Sequence, residues 1–120
     1  MILLAQAVSL AATNYSVDVP MRPPARRPAF ADGFTRTIDQ RRWRFDTERN
    51  RQGWANHEKQ YYAADRRENA RIEHGTLVIE ARREALRSKA DWGGQDYSAA
   101  KLVSRAAFGY GFYEISAKLP

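Results

Sequence analysis

The side chains through which this chain could do chemistry are two imidazoles, fourteen carboxylates and an aromatic decapeptide. His74 stands beside Gly75, where the simplest role is that of a turn residue. His57 has Glu58 next to it, but no histidine follows at i+2 or i+4, so the spacing of a zinc site is absent. With no second base in reach of either, a serine or metal hydrolase is not the expected chemistry. There are no cysteines, which excludes disulfide frameworks, thiolate metal sites and a cysteine nucleophile. Paired carboxylates are the other engine, as in glycoside hydrolysis, where two carboxyls about 5–9 Å apart flank the scissile bond. On a strand, residues i and i+2 share a face and lie about 6.6–6.8 Å apart. Asp46 and Glu48 have that spacing, but Arg49 and Arg51 follow them in a turn-like polar run. Asp65 and Glu68 flank Arg66 and Arg67, which reads as a solvated loop. Glu114 has no acidic neighbour. No segment carries three acids on one strand face, so catalytic residues are not expected among these 120.

The decapeptide is Gly53–Tyr62, GWANHEKQYY. It has neither a helical stripe nor strict alternation. Tyrosine and tryptophan offer flat apolar faces with a polar tip, on which the CH groups of a pyranose stack while amides and charges take its hydroxyls. The same composition could stack nucleic-acid bases. The plain alternative is that Trp54, Tyr61 and Tyr62 pack the edge of the domain. The residues alone leave these readings open.

The elements that must position this loop belong to one domain, since 120 residues are too few for two. A hydrophobic content of 43% with 12% aromatics argues for a packed unit. The net charge is +6, from 20 Lys and Arg against 14 Asp and Glu. Basic surface invites a nucleic-acid reading, but the basic residues are scattered from Arg22 to Lys118 and interleaved with acids. A solvated mixed-charge surface is the expectation. Met1–Ala12, MILLAQAVSLAA, is apolar but far shorter than the roughly 20 residues that span a bilayer. Ser9-Leu10-Ala11 has the small–x–small form of a signal-peptidase site, although a basic n-region is missing. A signal peptide truncated at its start is expected, with a short N-terminal helix or strand as the alternative. Residues 13–28 hold Pro20, Pro23, Pro24 and Pro28 among several arginines, and read as an extended linker.

From residue 29 onward the punctuation is that of an all-β chain. Trp43-Arg44-Phe45 alternates apolar and polar. Asn69–Glu73 and Thr76–Arg82 flank His74-Gly75 and read as a hairpin, with a glycine where positive φ is cheap. Ser98–Arg105 and Phe108–Leu119 are expected to form a second pair. In the latter, Tyr113, Ile115, Ala117 and Leu119 alternate with Phe112, Glu114, Ser116 and Lys118, the period of a strand with one buried face. Ala81–Ala90 is too basic and too poor in apolar spacing for a helix, and reads as a loop. Short segments at this spacing argue for an antiparallel sandwich. Such a sheet must bury its apolar face against a second layer, which this chain does not obviously supply.

In this order the segments resemble the family 16 glycoside hydrolases, the laminarinase-like endo-β-glucanases. GWANHEKQYY followed by Arg67–Arg82, RENARIEHGTLVIEAR, is similar to the family's GWGNNELQYY…PENVRVENGTLVIEAR. Tyr97–Leu102 is similar to Y-T-S-A-R-L. Tyr110–Glu114 with Lys118-Leu119-Pro120 is similar to Y-G-[RYF]-[FY]-E…K-L-P. Upstream, Phe30–Phe34 resembles F-x-D-E-F, and Ile38-Asp39 with Trp43 resembles L-D…W. The likeness covers roughly residues 29–120.

The resemblance implies a concanavalin-like jelly-roll β-sandwich of two curved sheets, present here as its N-terminal part, with a glucan cleft on the concave face. It implies a secreted or periplasmic endo-acting hydrolase of β-1,3- or mixed-linkage glucans, working by retaining double displacement. A non-catalytic β-glucan-binding protein of the same fold is the alternative. The family's nucleophile, assisting acid and acid/base sit in an E-[IL]-D-x-x-E strand after K-L-P, where a β-bulge keeps the third acid on the face of the first two. Catalytic residues are therefore expected beyond Pro120, and the chain alone is expected to be inactive. By the resemblance, Asn56 faces the sugar, Trp54 belongs to the same loop, and Lys101 stands where the family usually has a substrate-facing arginine. Lysine keeps the charge but loses the planar fork. Gly33 replaces a glutamate that would help hold a structural calcium, so neither a metal nor another cofactor is expected. The implied partner is a polysaccharide, with no nucleic acid, no membrane, and a monomer at full length.

Overall fold

The structure is a computed structural model that describes the backbone of residues 4–6, residue 25 and residues 27–119, with Asn56 described in its backbone alone. The expected linker thus lies largely outside the described residues. Among the described residues, nine short strands and one 3-10 turn make up the regular structure. No described helix is long and apolar enough to cross a membrane. Two compact units divide the chain, Phe34–Ala106 and a smaller one formed by Met1–Gly33 with Ala107–Pro120.

Three small sheets form the larger unit. β2 (Trp43–Phe45) runs antiparallel to β8 (Leu102–Ser104), with Trp43 opposite Ser104 and Phe45 opposite Leu102. β4 (Ala70–Glu73) and β5 (Thr76–Ile79) are the hairpin read from the sequence, closing with Glu73 opposite Thr76. Its two loop residues both have positive φ, 48° at His74 and 71° at Gly75. That is the backbone a two-residue turn needs to match the strands' right-handed twist. The third sheet has the order β3-β7-β6, from Gln60–Tyr62, Tyr97–Ala99 and Arg82–Arg83.

In this last sheet β7 is central, and Ser98, Ala99 and Ala100 are all buried. Small side chains let both faces of the strand be covered closely. β3 alternates, burying Tyr61 and Ala63 while Gln60 and Tyr62 are half-buried. The β3–β7 pair is parallel, which departs from the all-antiparallel expectation. The physical reason is the route between them: β6 runs opposite to both, so the chain must reverse once more before it enters β7. Arg82–Arg83 is a strand within the segment read as a loop. It alone of that segment finds a ladder, antiparallel to β7.

In the smaller unit β1 (Leu4–Gln6) pairs antiparallel with β9 (Phe112–Glu114). The expected pairing of Ser98–Arg105 with Phe108–Leu119 is therefore not formed. The two halves of the first segment pair instead with β3 and β2, and only three residues of the second form a ladder. Alternation marks two-sidedness but does not name a partner. Phe30 meets Phe108 edge-on at 5.2 Å, and the Tyr113 hydroxyl donates to the Gly109 carbonyl at 2.6 Å.

Candidate glycan-binding site

The aromatic loop is held from below by one side chain. Asn50 is fully buried, and its amide reaches four partners. Its Nδ2 donates to the Tyr62 carbonyl at 3.0 Å and to Asp91 Oδ2 at 2.9 Å. Its Oδ1 accepts from Trp54 Nε1 at 3.2 Å and from the Tyr62 backbone N–H at 2.9 Å. Every hydrogen-bonding direction of the amide is used. Asp91 also accepts from the Tyr61 hydroxyl at 2.7 Å. Burial, reinforced by the Asp91 carboxylate, pushes Tyr61 up to about 12. Burial alone would raise Asp91, but the bonds from Asn50 and Tyr61 outweigh it and hold it below its ordinary value.

The loop Asp91–Gln95 is laid against the same turn. A Cβ on Gly93 would stand 2.6 Å from the Asn50 carbonyl oxygen and 2.9 Å from that of Arg51, so only glycine permits this approach. Gln95 closes the contact by donating to the Asn50 carbonyl, and Arg51 by donating to that of Ala90.

Upon this base the residues singled out from the sequence come together in part. Trp54 is 9% exposed and meets Tyr62 edge-on, with ring centroids 4.9 Å apart. The Lys101 ammonium stands over the Trp54 ring, 4.1 Å from its centroid, and 5.8 Å from that of Tyr62. Asn56 lies in the 3-10 turn Ala55–His57, and its side chain lies outside the described residues. His57 ends that turn with a φ of 55° and is exposed.

Asp46 departs from the expectation of a turn-like polar run, because it is buried. Its Oδ2 takes Lys101 Nζ at 3.1 Å, and its Oδ1 lies 3.6 Å from Arg44. Burial pushes Asp46 up, but Lys101, the Glu48 backbone N–H and Arg44 together hold it below the usual carboxylate value. Asn50 and Asp91 were not singled out at all. Gly93-Gly94 beside Asp91 was the one local signal of a close backbone approach.

A second buried network supports the sheet behind this loop. The fully buried Asn69 donates to Ser98 Oγ at 2.8 Å and to the Glu80 carbonyl at 3.1 Å. Ser98 in turn donates to Glu84 at 2.5 Å, and Arg66 grips both oxygens of Glu84 at 2.8 and 3.2 Å. Among the described residues no buried side-chain nitrogen or oxygen lacks a partner, and no three His, Asp or Glu side chains gather as a metal site would need.

SCLam, a non-specific endo-β-1,3(4)-glucanase from family GH16, superposes on 70% of this chain with a TM-score of 0.67 and 52% sequence identity. This chain belongs to glycoside hydrolase family 16. The jelly-roll expectation stands with it, because the described strands form part of that family's sandwich. A β-glucanase of Rhodothermus marinus is 43% identical over 84 residues, which are 68% of this chain and 27% of that protein. The clotting factor G alpha subunit of Tachypleus tridentatus is 36% identical over 96 residues, 80% of this chain and 13% of that protein. The chain spans 33% of SCLam, and so about a third or less of each of these relatives. No protein-family model matches the chain. A variant of SCLam with serine in place of a glutamate presents a 1,3-β-D-cellobiosyl-glucose at its active site.

Proposed function

We propose that this chain supplies the glucan-binding end of a cleft in an endo-acting family 16 β-glucanase. The observation that carries the reading is the 52% identity to an endo-β-1,3(4)-glucanase over 70% of this chain, whose fold brings Trp54 and Lys101 together. In this reading the Lys101 ammonium and the loop bearing Asn56 contact sugar hydroxyls, while Trp54 and Tyr62 give the wall its shape. The retaining mechanism belongs to the family's acidic strand, for which the described carboxylates offer no counterpart. Asp46, Glu80, Glu84 and Asp91 are all engaged in ion pairs or hydrogen bonds within the fold. The apolar run Met1–Ala12 with its Ser9-Leu10-Ala11 site supports secretion or a periplasmic location.

A binding role without hydrolysis is the second reading. It is favoured by the clotting-factor relative, whose name is not that of a hydrolase. Calorimetric titration with laminarihexaose, a mixed-linkage tetrasaccharide and an oligonucleotide tests the shared part of both readings. Binding of either glucan with little response to salt is the expected result. Binding of the oligonucleotide alone, weakening steeply with salt, would overturn it. Reducing-end release by the gene product, measured beside binding, separates the hydrolase from the binding protein.

A further inference from the structure

The Lys101 ammonium is held from two sides, and the backbone sets one of them. The β2–β8 ladder ends with Phe45 opposite Leu102, and the Asp46 N–H donates to the Lys101 carbonyl at 2.9 Å. The backbone itself thus sets Asp46 and Lys101 side by side at the edge of that sheet. Their side chains then close an ion pair of 3.1 Å, and the indole of Trp54 takes another face of the ammonium at 4.1 Å. Trp54 cannot turn away, because Asn50 holds its Nε1 and Tyr62 lies against its ring. The exposures follow this order of duty: the Lys101 side chain is 39% exposed and that of Asp46 is 11% exposed.

An ammonium has three donors. One is spent on Asp46, the indole face takes a second direction, and the rest of the group faces outward. The charges also balance locally. Asp46 lies against Lys101 and Arg44, and Glu48 lies 3.5 Å from Arg44, giving two cations and two anions. What this cluster offers outward is therefore a directed N–H donor with its charge compensated. That suits a hydroxyl oxygen and not a sulfate or carboxylate.

We propose that Asp46 is a positioning residue that fixes the Lys101 ammonium across the Trp54 ring and reserves this site for uncharged glycans. Trp54, on this view, is a rest for the lysine and not a stacking platform for sugar. The inference rests on the glycan reading above, but one of its two tests does not depend on it.

That test is spectroscopic. Protons beside an aromatic face are shifted upfield by the ring current, so the ε-methylene of Lys101 should resonate upfield of the other lysines in the intact chain. Asp46→Asn should abolish the shift and Asp46→Glu should restore it, while Lys101→Met identifies the resonance. An unchanged shift in Asp46→Asn would overturn the positioning role, as would its loss in Asp46→Glu to the same degree. The second test is affinity for laminarihexaose and for its sulfated derivative. Asp46→Asn should weaken laminarihexaose by about tenfold, the scale of a lost charge-assisted hydrogen bond. It should also gain sulfated-glycan binding that falls with salt. Wild-type preference for the sulfated glycan would overturn the selectivity. If the wild type binds neither glycan yet keeps the shifted resonance, the glycan reading falls with the selectivity, and the positioning of Lys101 stands.

Discussion

Two buried asparagines organise the larger unit, and they do so with different partners. Asn50 ties loop to loop, joining the aromatic segment to Asp91 from 41 residues away. Asn69 ties strand to strand, joining the hairpin to Ser98 in the central strand β7 and, through Ser98, to the Glu84–Arg66 pair. Around Asn50 the neighbours are tyrosines and a tryptophan, and the candidate site stands directly above. Around Asn69 the partners are Arg66, the Glu80 carbonyl and Ser98, which lead into the ion pairs. The same amide chemistry thus fixes a loop in one place and assembles a sheet in the other.

The comparison is broken most severely by Asn50→Ala. It leaves the Trp54 indole N–H, the Tyr62 amide and one Asp91 oxygen without their partner, and unmet buried groups cost about 1–3 kcal/mol each, not fully additively. A loss of about 3–4 kcal/mol is expected in urea unfolding, together with loss of the upfield Lys101 resonance. Asn69→Ala should cost about 2–3 kcal/mol on the same reasoning. It should leave that resonance in place, and if both variants lose it equally the two networks are not separable. Gly93→Ala belongs to the Asn50 side, since its Cβ would meet backbone oxygens that cannot easily yield. About 2 kcal/mol of strain is expected, read as a lowered Tm.

Smaller effects come from titration. In alkali only the Asn50 region responds. Tyr61 ionises at 10.0 when unfolded but near 12 when folded, so the folded state holds its proton longer. Stability should therefore fall as pH rises from 10 through about 12. Tyr62 is also raised, chiefly by burial, so Tyr61→Phe should lessen this alkaline decline without abolishing it, while costing about 1 kcal/mol at neutral pH. In acid both regions respond. Glu84, lowered chiefly by Ser98 and Arg66, and Asp91 and Asp46 all lie below their ordinary 4.5 and 3.8. Their contribution is complete above those values and is lost as pH falls through the depressed ones. Acid unfolding followed by circular dichroism should thus show no difference between the regions, whereas alkaline unfolding should.

What was legible in the sequence was local. The hairpin over His74-Gly75 was readable because turn and strands are contiguous, and Trp43–Phe45 because its alternation is its own signal. The partners of short strands were not readable. Nothing in Leu102–Ser104 names Trp43–Phe45, and nothing in Phe112–Glu114 names Leu4–Gln6. The site divided along the same line. Trp54, Asn56 and Lys101 stood out through family resemblance, while Asp46 looked solvated because the lysine that balances it lies far along the chain. Asn50 carries no mark of its role in the sequence around it. Its burial depends on Tyr62, Asp91 and Gly93, three residues on two other segments.

The ladder that sets Asp46 beside Lys101 joins segments from opposite ends of the larger unit. Closing so wide a span costs chain entropy before any contact returns it, whereas the β4–β5 hairpin closes over two residues. The hairpin should therefore form early and the β2–β8 pair late, which orders events in time as well as in space. Lysine and carboxylate are set side by side only when the widest strand pairing of the larger unit has closed. Within the larger unit, an ammonium seated on its tryptophan is the mark of a finished fold.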